Sequence, residues 1–352
     1  RKGPLLFVTC NNFKRTITFY QKDPSSTAKE LEKVLGEIKV DDITKSFALT
    51  KLAELYQVAT IEAEKGIYSC SYECDGVLAE ECYNSKNVFW LVYDSQKNEI
   101  KKVEGKLELG EKIIFPIFNK DVETHQVLLP SEALDYGDDS KLFDEIKAFL
   151  NKWHEEPNER DRIIDVLYIF MTWIYDVLPE LPYLRALAPL GKGKSTKIQA
   201  VGSICYRPMF LAGVNSEADL KRTFDLYRGT AIIDEADFSK SDLFASIIKI
   251  LNIGYSNTFG WYRCRDKEDP DKGESFRVFG PKLLATRERY KDTAIESRCI
   301  TTKTEENRNP MPLYRAKKFL DEALELRNKL LAWRFKNYYR IKRFVEEKFE
   351  DP

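Results

Sequence analysis

The sequence predicts an α/β fold: a parallel sheet wrapped by helices, preceded by a smaller, β-rich α+β module. Three observations carry this. Between residues 183 and 286, short apolar runs alternate with amphipathic helical stretches, a pattern that closes as a parallel sheet. Before residue 136 the chain instead strings β-type runs between turn-forming residues. The first apolar run of the alternating part also leads straight into a glycine-rich loop.

Taken in order, residues 5–9 and 16–20 read as short strands, and residues 25–35 and 43–56 have helical spacing. Strands are then expected at 66–74, 87–93, 99–107, 112–118 and 123–129. These make one module, 1–136, with 134–140 (LDYGDDS) as its linker. Beyond it, Leu142, Ile146, Phe149, Leu150 and Trp153 share one helical face. Residues 159–178 are mostly apolar after Arg162 and predict an enclosed helix that Pro179 and Pro182 end. Strands follow at 183–187, 209–214, 230–233 and 282–286, with helices at 195–206, 217–227, 242–253 and 294–298. This alternating part makes the second unit, expected over 137–305. Residues 313–350 are helical, with Phe319, Leu320, Ala323, Leu324, Leu330 and Leu331 on one stripe.

A chain of 352 residues with 43% hydrophobic content suits two packed domains. Its net charge of −1 provides no global field for nucleic acid, so any such contact must come from a local basic stripe or an assembled surface. Seven cysteines at irregular spacings argue against a disulfide framework and for a reducing, cytoplasmic setting. The most apolar stretch, 163–178, is broken by Asp165 and Asp176 and is too short to span a bilayer, so no membrane partner is expected. The chain begins at Arg1 without an initiator Met, which suggests a fragment or processed form.

Residues 188–195 (APLGKGKS) have the composition of a phosphate-cradling loop. Gly191 and Gly193 permit the tight turn that points consecutive N–H groups at a β-phosphate, at the start of a helix. Lys194 would reach the β- and γ-phosphates, Ser195 would ligate Mg2+, and Thr196 completes the binding set. Lys192 is a second cation, but only Lys194 is followed by Ser. Ala188 stands where such motifs usually begin with Gly. Residues 231–235 (AIIDE) form an apolar strand ending in two carboxylates. There Asp234 would hold Mg2+ and Glu235 would orient and deprotonate water, so ATP and Mg2+ are the expected ligands. A Glu next to the Asp favours hydrolysis over transfer to a small acceptor.

Thr286, closing the strand 282–286, is placed to sense the γ-phosphate; the plainer reading is a Thr that caps a strand. Arg298, ending a short helix, would stabilise charge on a neighbouring subunit's ATP, or else make a surface ion pair. Residues 260–265 and 274–279 flank the turn 269–273 (DPDKG), which predicts a hairpin. An insertion at this point resembles the hairpin with which superfamily 3 and minichromosome-maintenance helicases grip DNA, which implies that Arg263, Arg265, Lys267 and Lys272 would contact DNA phosphates. The hairpin also carries acidic residues, so a structural or subunit-contacting role is the alternative. Arg327 is a candidate second sensor and Asn215 a candidate restraint on Glu235. The basic, aromatic stretch 334–343 either binds nucleic acid or packs as an amphipathic helix. Cys70, Cys74 and Cys82, with Cys10 or His125, lack common zinc spacings and read better as free core cysteines.

Several segments together resemble a known group: 182–185 (PYLR), 191–195, 205–208 (CYRP), 228–230 (RGT) before 234–237 (DEAD), 279–282 (FGPK) and 296–299 (ESRC). They are similar to the P-loop ATPase domain of archaeal, plasmid and phage replication-type proteins, relatives of AAA+ helicases, over roughly residues 140–340. The resemblance implies an AAA+-like sheet, a helical lid over 306–352, and a homo-oligomeric ring with a hexamer favoured. It also implies Mg2+-dependent ATP hydrolysis that drives DNA translocation or unwinding for a mobile element. The alternative is an ATP-switched assembly or loading protein without processive unwinding. Residues 1–136 would then serve as a collar or a nucleic-acid-binding module.

Overall fold

A computed structural model of the chain describes residues 5–10, 13–18, 24–37, 45, 48–49, 52, 66–109, 112–156, 158–189, 192–211, 216–234, 242–264, 273–304 and 317–349. Two compact units emerge: residues 1–67 with 108–114, and residues 68–107 with 115–352. In the first, β1 (Leu5–Cys10) and β2 (Phe13–Thr18) pair antiparallel, with Leu5 opposite Thr18. Helix α1 (Pro24–Glu37) follows and buries Leu31, Val34 and Leu35, at helical spacing. Three short strands, β3 (Gly66–Tyr68), β8 (Leu107–Leu109) and β9 (Lys112–Phe115), pair in the order β3-β9-β8.

The second unit holds an antiparallel meander of β4 (Ser71–Cys74), β5 (Val77–Tyr83), β6 (Val88–Asp94) and β7 (Glu99–Glu104). The strands between residues 68 and 107, expected within a module ending at 136, thus cluster with the second unit. The reason lies on β5. Glu80 is buried and accepts hydrogen bonds from Tyr206 Oη (2.8 Å), the Arg207 guanidinium and Arg334 Nε (2.7 Å). Arg334 also pairs with Asp176 at 2.7 Å. Three charged side chains with negligible exposure thereby tie the meander to the rest of its unit. β5 itself falls between the strands expected at 66–74 and 87–93, where no strand is predicted.

The parallel sheet comprises β10 (Tyr183–Leu187), β11 (Met209–Phe210), β12 (Ala231–Asp234), β15 (Lys282–Thr286) and β16 (Cys299–Lys303), in the order β11-β12-β15-β10-β16. It is sandwiched, because its central strands present apolar side chains to both faces. Leu184, Ala186, Ile232, Leu283 and Ala285 face one core, with Leu142, Ile146, Ile169, Ile198 and Leu330. Tyr183, Ile233 and Leu284 face the other, with Phe224, Ile250, Leu251 and Tyr262. The helices are α2 (Lys120–Glu123), α3 (Asp139–Trp153), α4 (Glu159–Thr172), α5 (Lys194–Gly202), α6 (Glu217–Tyr227), α7 (Asp242–Ile253), α8 (Thr293–Ser297) and α9 (Lys317–Phe349). The mixed α/β class with a parallel sheet is therefore as the sequence predicts.

Several elements differ. The strand expected at 123–129 is replaced by α2 and a single bridge from Val127 to Met209. Asn119 Oδ1 accepts from the Asp121 and Val122 amides and so starts a helical turn instead. The helix expected over 159–178 ends at Thr172, whose hydroxyl bonds back to Ile169 O and accepts the Tyr206 amide. A 3₁₀ turn, Tyr175–Val177, follows. The tail is not set apart from its unit. On α9, Lys329 pairs with Glu145 at 2.8 Å, Trp333 Nε1 donates to Asp139 (3.1 Å), and Phe335 stacks on Tyr93 at 5.5 Å. Arg334, Phe335 and Tyr338 are buried, so the basic, aromatic stretch packs inward. Among the described residues no helix is long and apolar enough to cross a membrane.

Candidate active site

β10 ends at Leu187, and the chain leaves the sheet between two neighbours. The Ala188 amide donates to Thr286 O of β15 (3.3 Å), and the Thr304 amide, just past β16, donates to Leu187 O (3.4 Å). This is the carboxyl edge of the parallel strands, where open α/β sheets form their ligand crevices. Gly193, the N-cap of α5, has φ +77, which a side chain would strain. It opens α5 without a capping side chain, leaving the first-turn amides to the crevice. A strand, a glycine-bearing loop and a helix in this succession form a P-loop-type arrangement.

Lys194 is buried, and its Nζ donates to Ala188 O and Pro189 O, both at 2.6 Å. Burial lowers its pKa, the Asp234 carboxylate opposes that, and the Arg287 cation adds to it. Ser195 Oγ donates to Asp234 Oδ2 at 2.5 Å. β12 delivers that carboxylate, because its register sets Asp234 opposite Ala285 of β15. Thr286 pairs with Leu187 across the same edge, and its Oγ1 is buried without a hydrogen-bond partner among the described residues. Lys194, Ser195, Asp234 and Thr286 thus share one edge of the sheet, with Thr196 half-buried beside them. Glu235, directly after Asp234, lies outside the described residues, as do Gly191 and Asn215.

Arg298 stands elsewhere. It caps α8 and immediately precedes β16, whose Cys299 pairs with Tyr183 at the amino end of β10. Its Nη1 donates to Asn252 O (3.1 Å) and Oδ1 (3.2 Å), and its guanidinium lies 3.8 Å from the Tyr255 ring centroid. Arg298 and Lys194 therefore occupy opposite edges of one sheet. Arg327 does not reach the phosphate end either. It is buried, and its Nη1 donates to Ser203 O (2.6 Å), at the carboxyl end of α5. A cation there complements the helix dipole and replaces the expected sensor role.

Two charged constellations escape sequence reading. Arg185, inside β10, makes a bidentate pair with Glu296 (2.5 and 2.7 Å) and also bonds Thr301. The Arg185 hydrogen bonds hold the Glu296 carboxyl down at about 2. Behind α5, Lys197 Nζ sits 2.6 Å from Glu156 and 3.0 Å from Asp165, all with negligible exposure. His154 is buried beside them, both ring nitrogens without a hydrogen bond among the described residues, and burial lowers its pKa to about 3. Lys197 lies just past the loop motif, and its charge anchors α5 from behind. Cys70 and Cys82 are buried free thiols, and no group of three metal-capable side chains occurs among the described residues.

The hairpin forms as expected, β13 (Trp261–Cys264) against β14 (Glu274–Arg277), with Trp261 opposite Arg277 and Arg263 opposite Ser275. Tyr262 and Phe276 point inward, and Tyr262 Oη donates to Glu217 at 2.9 Å. Arg263 is exposed on the outer face. Beside it Trp261 is 42% exposed, and Phe259 is 72% exposed. Arg265, Lys267 and Lys272 lie outside the described residues.

No family model matches the chain, and no curated protein matches it. Among solved structures, the SCCmec type IV Cch active helicase is 11% identical, with a TM-score of 0.40, covering 99% of this chain and 62% of its own. An inhibitor-bound JCV helicase is 13% identical, with a TM-score of 0.32, over 61% of this chain and 62% of its own. The apo NrS-1 C-terminal region is 9% identical, with a TM-score of 0.30, over 77% and 72%. The present chain spans 62% of the Cch helicase's length. Likenesses this distant leave its function to be argued from the site.

Proposed function

We propose that the chain is a Mg2+-dependent ATPase of AAA+-like type that moves along or unwinds DNA as a homo-oligomeric ring, a hexamer being the favoured count. The observation that carries the reading is the Ser195–Asp234 hydrogen bond at the carboxyl edge of the sheet, one residue from Lys194. A hydroxyl and a carboxylate so joined suit a hard cation. The Thr286 hydroxyl, buried without a partner among the described residues, suits a ligand that accepts from it. Ser195 and Asp234 would hold Mg2+, which when bound neutralises phosphate charge. Lys194 would exchange its two carbonyl partners for phosphate oxygens. Glu235 would take the proton of the attacking water, with Thr286 orienting that water. Since Arg298 lies at the far edge, it would serve the ATP of an adjoining copy. The hairpin's Arg263, Arg265, Lys267 and Lys272 would meet DNA phosphates. Residues 1–136 would contribute a collar or a further nucleic-acid contact.

Glu235→Gln tests the chemistry. It is expected to keep ATP binding while turnover falls by about 10²–10⁴-fold, as for loss of a general base. Wild-type turnover in that variant would refute the assignment. Strand displacement, compared before and after removing the hairpin cations, tests the motor. An ATP-switched loading protein would show no displacement to lose.

A further inference from the structure

Lys282 is the first residue of β15, and its side chain runs into the interior with negligible exposure. Its ammonium has no carboxylate partner among the described residues. Nζ donates instead to three backbone carbonyls: Gly280 (2.7 Å), Gly254 (3.0 Å) and Val278 (3.0 Å). The rings of Tyr183 and Phe224 flank it at 5.1 and 5.3 Å. The seat is built for this group. A Cβ on Gly254 would lie 2.7 Å from Nζ and 2.5 Å from Val278 O, so only glycine leaves the space. Tyr168 Oη fixes the backbone of the same residue, accepting its amide and donating to its carbonyl, both at 3.0 Å.

The three carbonyls come from two places. Val278 and Gly280 belong to the segment returning from β14, the second strand of the hairpin, to β15. Gly254 ends α7, where a cation also meets the negative end of the helix dipole. The far end of β15, four residues on, is Thr286 at the candidate nucleotide crevice. One short strand therefore has its amino end fastened to the hairpin's foot and its carboxyl end at the crevice.

We propose that Lys282 is a positioning residue that couples the hairpin to the nucleotide site, so that β15 and the β13–β14 hairpin shift as one piece when Thr286 engages a nucleotide. The proposal rests on the reading of that crevice as a nucleotide site. Without the ammonium the return segment loses its shared anchor, and motion at Thr286 stops at the strand.

Amide hydrogen exchange over β13, β14 and α5, with and without Mg·ADP or a non-hydrolysable ATP analogue, tests this in wild type and in Lys282→Met. Wild type is expected to change exchange at both α5 and the hairpin by about tenfold or more. Lys282→Met is expected to keep the α5 change and lose the hairpin change. If Lys282→Met fails to fold, Lys282→Gln, which keeps two N–H donors, serves the same comparison and is expected to retain a reduced hairpin response. A hairpin that responds equally in the variant, or that ignores nucleotide in wild type, overturns the proposal. If α5 itself is unmoved by nucleotide, the reading of the crevice fails with it. A coupled hairpin in a wild type that displaces no DNA strand would leave the coupling standing and remove the motor.

Discussion

Lys194 and Lys282 are both buried ammonium groups held by backbone carbonyls, yet their surroundings give them different work. The two acceptors of Lys194 belong to its own loop, at the carboxyl edge of the sheet, and in the proposed function they would be given up to phosphate. The three acceptors of Lys282 lie deep in the unit, and nothing replaces them. Burial accordingly pushes the Lys282 pKa down to about 7 from an ordinary 10.5. Between those values the unfolded chain binds a proton that the folded chain has released. Stability therefore rises with pH from about 7 toward 10.5, at up to about 1.4 kcal/mol per unit. Urea unfolding at pH 7 and pH 9 should show this rise in wild type and a smaller one in Lys282→Met; equal slopes would remove the claim. Lys194, Ser195 and Asp234 were legible in the sequence because their chemistry is local and their spacing is a motif. Lys282 was not, because 279–282 (FGPK) says nothing about which way a lysine at a strand's start will turn.

Among the elements, β5 shows most clearly where sequence reading stops. Two adjacent glutamates in VLAEECY disguise a strand, yet Glu80 and Glu81 are both buried. The available signal was Asp75 and Gly76, both at positive φ, an Asp-Gly hairpin turn between β4 and β5. What no local signal reveals is why the glutamates are tolerated. Ile117 donates its amide to Glu81, while Arg207 and Arg334, far along the chain, neutralise Glu80. Glu80→Ala would strand two buried guanidinium groups and is expected to cost about 3–5 kcal/mol in chemical denaturation. A loss under about 1 kcal/mol would mean that Asp176 and the backbone satisfy both arginines alone. By contrast, the alternating strands and helices after 183 were readable, since strands buried on both faces are nearly continuous apolar runs, broken in β10 only by Arg185. β16 escaped because Thr301, Thr302 and Lys303 look polar, although Thr302 is buried.

For the molecule as a whole, the relevant geometry is the sheet that carries Lys194 at one edge and Arg298 at the other. One copy has both groups but cannot bring them to the same phosphate in the arrangement seen. A shared site then requires a head-to-tail contact, which either closes into a ring or continues as a helix. Particle images with an ATP analogue would distinguish these, and an unchanged monomer would remove the shared site altogether. The sequence showed both residues but not their separation, because which end of a strand a residue occupies depends on pairings made across the sheet. In the proposed assembly the opposed edges would give each copy a giving side and a receiving side, as in a chain of buckets. Lys194→Ala and Arg298→Ala copies should each be inactive alone. Mixed in equal amounts and free to exchange, they should recover about a quarter of the wild-type sites, because an inactive giver can still sit beside an intact receiver.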